Sequence, residues 1–174
     1  MAITKAPPHT PPTHDRRIEV DVDTQTLRVV EGNTPLAEFP VSTSRFGLGF
    51  EEGSFRTPTG RFVVRDKIGD GAAPWTIFRA RIDTGERAAP HGDEDLVLTR
   101  ILTLDGLDPA NANTLARYVY IHGTNQEHLI GQPASHGCVR LKNADMISLH
   151  DLVSVGTPVV IGSNNANPPA VKTL

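Results

Sequence analysis

Cysteine is almost absent from this chain: Cys138 is the single one among 174 residues. That scarcity excludes an intramolecular disulfide framework and any zinc module built from several cysteines. Charge of one sign is also lacking. Seventeen Lys and Arg against twenty Asp and Glu leave a formal charge of −3, spread along the sequence. With no basic stripe and no polybasic cluster, neither a nucleic acid nor a membrane surface is expected as partner. No apolar run approaches the ~20 residues of a transmembrane helix. The opening MAITKAPPHTPPTHDRR has prolines at 7, 8, 11 and 12 and no apolar core of a secretory signal. Read from Met1, the chain is expected in the cytoplasm; with a leader ahead of this sequence it would be periplasmic. There is no internal repeat, and nothing in the pattern carries an oligomerisation signal.

What is present is an ordinary apolar content of 38%, enough for one domain with a sizeable core. Residues 1–15 read as a flexible Pro-rich segment, 16–162 as the domain, and 163–174 as a flexible polar tail. Ile18, Val20 and Val22 alternate with Glu19, Asp21 and Asp23, the period of a half-buried strand. Leu27–Val30 and residues 36–41 follow as further strands, with Gly32-Asn33 as a turn. Pro58 and Gly60 launch a strand over 61–65. Residues 66–95 hold many Gly and Pro with little periodicity and are expected to be a long capping loop or lid. Strands are then expected over 96–104, 117–123 and 159–161. Asn143 is expected to cap a helix over 143–153 with Met146, Leu149 and Val153 at helical spacing. The fold class is mainly β with one clear helix.

The chemistry concentrates in RYVYIHGTNQEHLIGQPASHGCVR, residues 117–140. His136 and Cys138 are two apart, so on an extended backbone they share a face. On the preceding strand Tyr118, Tyr120 and His122 fall on one face, and His122 stands where Gly123 breaks it. A thiol becomes a strong nucleophile when an imidazole takes its proton. Backbone N–H groups of Gly137 and Cys138 could hold an oxyanion, and Arg140 offers a fixed charge to a substrate carboxylate. Tyr120 and Thr124, flanking the strand end, are expected to contact substrate. Three bland readings compete. A lone cysteine is usually a small buried hydrophobe. His122, His136 and Cys138 could instead hold zinc, although no second cysteine or carboxylate lies near in sequence. Arg140 could pair with Asp145 or Asp151. Histidines 9, 14 and 128 read as solvated, His91 as part of the lid, and His150 as exposed on the helix.

The combination IHGTN, IGQPASHGCVRLKNAD and GTPVVI, with PVSTS and TPTG earlier in the chain, resembles the L,D-transpeptidase catalytic domain, the YkuD family. The resemblance implies a mixed β-sandwich and a cysteine acyl-transfer enzyme that needs no metal or cofactor. It implies attack on the bond between meso-diaminopimelate and D-alanine in a peptidoglycan tetrapeptide stem, through a thioester, and acylation by carbapenems. It makes Cys138 the nucleophile, His122 the general base and the Gly123 carbonyl the group that orients it. His136 and the amides near Gly137 then assist, while Ser135 and Arg140 belong to the same box. The motifs around 42–60 and the missing leader resemble short members that act as L,D-carboxypeptidases on soluble muropeptides. Hydrolysis is therefore expected over 3–3 cross-linking or D-amino acid exchange, and a non-catalytic cell-wall-binding module is the remote alternative.

Overall fold

The computed structural model describes residues 15–163; apart from Asp15 and Ser163, the two expected flexible ends lie outside the described residues. Ten strands and one helix follow in order. The first three are β1 (Arg16–Asp21), β2 (Thr26–Glu31) and β3 (Thr34–Pro40), a meander turned at Gly32-Asn33. Then come β4 (Gly60–Ile68), β5 (Thr76–Arg79), β6 (Ile82–Arg87) and β7 (Val97–Gly106). The chain closes with β8 (Tyr120–Gly123), β9 (Val139–Leu141), α1 (Asn143–Leu152) and β10 (Pro158–Gly162).

The sheet runs β3-β2-β1-β10-β4-β7-β5-β6, with β8 and β9 branching from β7. It is mixed, because β1 pairs in parallel with β10 and β8 with β9. Strand β7 is the pivot. β4 and β8 both pair along residues 101–103, so they take opposite edges of β7, and β5 shares the β4 edge through Ile77 and Phe78. The branch brings Ile121 of β8, Val139 and Leu141 of β9, and Met146 and Leu149 of α1 down onto Ile18, Leu27, Phe62 and Val159. Alternation along β1 and β10 supplies one wall of this core, and the helical spacing of α1 supplies the other.

The segment 66–95 is not one long loop. Strand β4 continues through Ile68, and β5–β6 form a hairpin closed by Ala80 and Arg81, both at positive φ (48° and 66°). A two-residue turn of that kind is usually written with Asn or Gly, so Ala-Arg gave no turn signal. The irregular remainder is 69–75 and 88–96. At α1 the chain also departs from expectation. Asn143 does not cap the helix; its backbone N–H is capped instead by Glu127 Oε2 at 2.8 Å. The Asn143 side chain turns inward, accepting from Thr99 Oγ1 and donating to the Thr124 carbonyl at 2.8 Å. His150, expected at the surface, is 2% exposed with no hydrogen-bond partner for either ring nitrogen. Burial, then the cations Lys67 and Arg100, hold its pKa below the usual histidine value.

Two outcomes follow from these buried polar groups. Asn143→Ala, which strands the Thr99 hydroxyl and the Thr124 carbonyl, should cost about 2–4 kcal/mol in denaturant unfolding. His150→Leu removes two unpaired buried nitrogens and should gain about 1 kcal/mol at neutral pH. That gain should widen as pH falls below about 6.5, where the unfolded imidazole binds a proton that the native one resists. Unfolding curves at several pH values check both; a destabilised His150→Leu would contradict the second.

Candidate active site

Register on β8 and β9 builds the site. Ile121 lies opposite Val139 and His122 opposite Arg140. Ile121 and Val139 enter the core, so the alternate set, Tyr120 and His122 on one strand with Cys138 and Arg140 on the next, shares the other face. Cys138 and His122 are thus one strand apart and two residues along, a diagonal of roughly 8 Å between α-carbons that a thiol and an imidazole can span.

Gly123 is a glycine of necessity. A Cβ there would stand 2.5 Å from Asn143 Oδ1 and 2.8 Å from the Leu98 carbonyl. Its own carbonyl accepts a 2.6 Å hydrogen bond from His122 Nδ1. A carbonyl only accepts, so Nδ1 carries the proton and Nε2 is left with a lone pair. His122 is 2% exposed. Burial lowers its pKa most, the Asp95 carboxylate raises it, and Arg140 lowers it again. The balance is a neutral imidazole, the form a base requires.

Cys138 is half-buried and stands on the wall of a cleft of about 260 Å³, with Arg117, Tyr118, His136, Phe55 and Glu52 around it. Its sulfur receives the Tyr120 backbone N–H at 3.3 Å. Burial pushes the thiol up to about 12; the Tyr120 amide and the cations Arg140 and Arg117 pull it down, and Asp95 pushes it further up. The resting site therefore holds a thiol one strand away from a neutral imidazole, an arrangement suited to proton transfer during attack rather than to a standing thiolate. A larger depression between β1, β2 and β10, lined by Glu19, Arg28 and Val160, holds no nucleophile of this kind.

The loop before Cys138 is shaped by its own hydroxyl. Ser135 Oγ donates to the Cys138 carbonyl at 2.7 Å and accepts the Gly137 N–H at 3.2 Å. Gly137 adopts φ 124°, close to the carbonyls of Phe55 and Arg56. Its amide is thus held by Ser135, not presented to an oxyanion. Ser135, with no exposed surface, uses its hydroxyl to shape the loop. Tyr120 likewise works through its backbone, since its ring is buried with Phe78 and Ile101. Thr124 is fully buried, accepting from the Gln126 N–H at 3.0 Å, and does not reach the cleft. Tyr118, expected on the strand beside Tyr120, lies before it at φ 57° and is 67% exposed on the cleft rim.

Arg140 departs furthest from expectation. It is completely buried and donates to Asp95 Oδ1 (2.9 Å), Gln126 Oε1 (2.7 Å) and Ser42 Oγ (3.2 Å). It meets neither Asp145 nor Asp151, and its Nε, also buried, has no hydrogen-bond partner among the described residues. Asp95 is the residue that the sequence reading missed. It binds Arg140 through one oxygen and His136 Nδ1 through the other at 3.1 Å. Burial opposes its charge, but His122, Arg140 and His136 together hold the carboxyl below the usual range. In the sequence it is only the last residue of the segment 66–95 expected to form a lid. His136 keeps 45% side-chain exposure and packs edge-on to Phe55 at 5.8 Å. Arg117 was also missed; it ties the Gly49 and Arg56 carbonyls and lines the cleft. Among the described residues no three His, Cys, Asp or Glu side chains converge to hold a metal ion.

Asp95→Ala should destabilise the protein by roughly 3–5 kcal/mol, because Arg140 keeps its charge and loses its counter-ion. Asp95→Asn should move the ascending limb of kcat/KM against pH. In the native protein that limb reports His122 and should lie below the ordinary value of about 6.5. Without the carboxylate that raises it, the midpoint should fall further. An unchanged or raised midpoint would separate Asp95 from the base.

Comparisons with known proteins place the fold in one family. The family model described as the L,D-transpeptidase catalytic domain, YkuD, matches residues 15–161. The chain is 40% identical over 52 residues to a Bacillus subtilis putative L,D-transpeptidase, YqjB, covering 30% of each chain. It is 28% identical over 154 residues to the putative L,D-transpeptidase YkuD of the same organism, covering 88% of this chain and 68% of that one. The fold matches that of Mycobacterium tuberculosis L,D-transpeptidase 3, solved with a faropenem-derived adduct. There the TM-score is 0.55 and the identity 18%, over 84% of this chain and 60% of that one. The chain thus spans from under a third to about two thirds of the length of these relatives. With the family model matched over nearly all of the described residues, the chain belongs to the YkuD family of L,D-transpeptidase catalytic domains.

Proposed function

We propose that Cys138 attacks the carbonyl of the L-centre of meso-diaminopimelate where it is joined to D-alanine in a peptidoglycan tetrapeptide stem. His122 Nε2 takes the thiol proton as the S–C bond forms. The same proton passes to the departing amine of D-alanine, leaving a thioester on Cys138. Water, activated by His122, then attacks the thioester and releases the tripeptide and the thiol. The observation that carries this reading is the set formed by the Nδ1–Gly123 bond, the free lone pair on Nε2 and the cleft-facing thiol.

The surroundings support it. Arg117 is the cation that lines the cleft beside Cys138, placed to attract a stem rich in carboxylates. His136, held by Asp95 and packed on Phe55, closes the other side. Resolution by water is the outcome we infer from the likeness of the motifs around 42–60 to short family members that act as L,D-carboxypeptidases. Soluble muropeptides are the substrates we infer. A decayed, non-catalytic wall-binding module would not need to keep a glycine-oriented histidine beside its single thiol.

Product analysis tests this directly. The protein is incubated with a diaminopimelate-containing tetrapeptide muropeptide, with and without an excess of a D-amino acid, and products are weighed by mass spectrometry. Tripeptide and free D-alanine should dominate in both arms. Dominant exchange or dimer would replace the water reading with transpeptidation. Cys138→Ala should lower the rate by about a thousandfold or more; retained turnover would sink the nucleophile. A carbapenem should add its mass to the native chain and not to Cys138→Ala.

A further inference from the structure

Outside the cleft, two exposed histidines meet. His91, in the segment before Asp95, and His128, in the short turn Glu127–Leu129, bring their Nδ1 atoms to 3.0 Å with ring centroids 4.7 Å apart. An in-line N–H···N bond would place the centroids about 5.3 Å apart. The shorter separation means that the ring axes are bent off the N···N line. Two imidazole nitrogens on one cation, each at about 2.0–2.1 Å, lie roughly 3.0–3.4 Å apart. The observed spacing is that bite.

The backbones beneath the rings are fixed before any ion arrives. The His91 N–H donates to the Asn125 carbonyl at 2.9 Å, and Asn125 Nδ2 returns a 2.8 Å bond to the His91 carbonyl and a 3.1 Å bond to that of Glu94. Gln126 Nε2 adds a bond to the Gly92 carbonyl at 2.9 Å. His91 itself sits at φ 66°, a conformation a histidine rarely holds without such support. Little ordering is left to do on binding. No third ligating side chain converges on the pair among the described residues, so water completes the shell.

We propose that His91 and His128 form a two-imidazole site for a divalent transition cation of the zinc, nickel or copper class. Hard cations such as Mg²⁺ and Ca²⁺ prefer oxygen ligands and would not compete. Occupancy would clamp the segment that carries Asp95 onto the turn that leads toward Ser135 and Cys138. The site is independent of the reaction assigned to the cleft.

The test uses the untagged full chain titrated with Ni²⁺ by calorimetry, alongside His91→Asn, His128→Gln and Cys138→Ala. Asn is chosen at 91 because it tolerates the positive φ. The native chain and Cys138→Ala should bind one ion at this site and gain thermal stability that a chelator reverses. Each histidine variant should bind at least tenfold more weakly and lose that gain. Cu²⁺ should show electron-spin couplings to two nitrogens in the native chain and fewer in either variant. Ni²⁺ affinity in both histidine variants equal to that of the native chain, or no saturable binding at millimolar metal, would overturn the proposal.

Discussion

A single buried cation holds the functional end of this molecule together. Arg140 is fully enclosed, and its guanidinium joins β9 to Asp95 ahead of β7, to Gln126 after β8 and to Ser42 after β3. Taking an arginine out of water is costly, and one carboxylate with two neutral oxygens offsets that cost only when all are in place. The arrangement is therefore nearly all-or-none. Removing Asp95 leaves a stranded charge beneath the catalytic strand. The pair also sets the field of the site. Asp95 raises the pKa of His122 while Arg140 lowers it, so the two largely counter each other and burial decides that the imidazole is neutral.

Parallel pairing of two short strands turns a sixteen-residue separation into neighbourhood. Strand β8 ends at a glycine whose carbonyl fixes the histidine tautomer, and β9 begins just after the cysteine. The core face of both strands is apolar and anchored, so the register cannot slip without moving Ile121 and Val139 out of the interior. Packing on one face thereby positions the chemistry on the other. On the proposed reading, a base held neutral and a thiol held protonated make a site that stays quiet until a carbonyl arrives.

Much of this was legible from residues alone. Alternation over 18–22 and the apolar run at 96–104 named their strands, and Met146, Leu149 and Val153 named the buried side of the helix. The pairing of His122 with the Gly123 carbonyl came from the resemblance and is present as a hydrogen bond. What escaped depended on partners distant in sequence. Asp95 stands at the end of the segment expected to be a lid, and the Arg140 that is buried against it lies 45 residues later. The β5–β6 hairpin is hidden because Ala80 and Arg81 take positive φ without a glycine. His150 looked exposed since charge neighbours and helical phase cannot show that Lys67 and Arg100 come near from other strands. Ser135 and Thr124, expected at the substrate, have hydroxyls bonded to backbone groups, while the ring of Tyr120 is buried with Phe78 and Ile101.

The central claim is a covalent one: the acyl group of the stem passes through the sulfur of Cys138. Rapid acid quench of the protein with tetrapeptide, followed by intact-protein mass spectrometry and peptide mapping, observes it directly. The account predicts a transient added mass equal to the tetrapeptide less one free D-alanine (the same as the tripeptide less one water), mapped to Cys138 and decaying as tripeptide appears. Steady turnover with no such adduct, or an adduct on another residue, would contradict it.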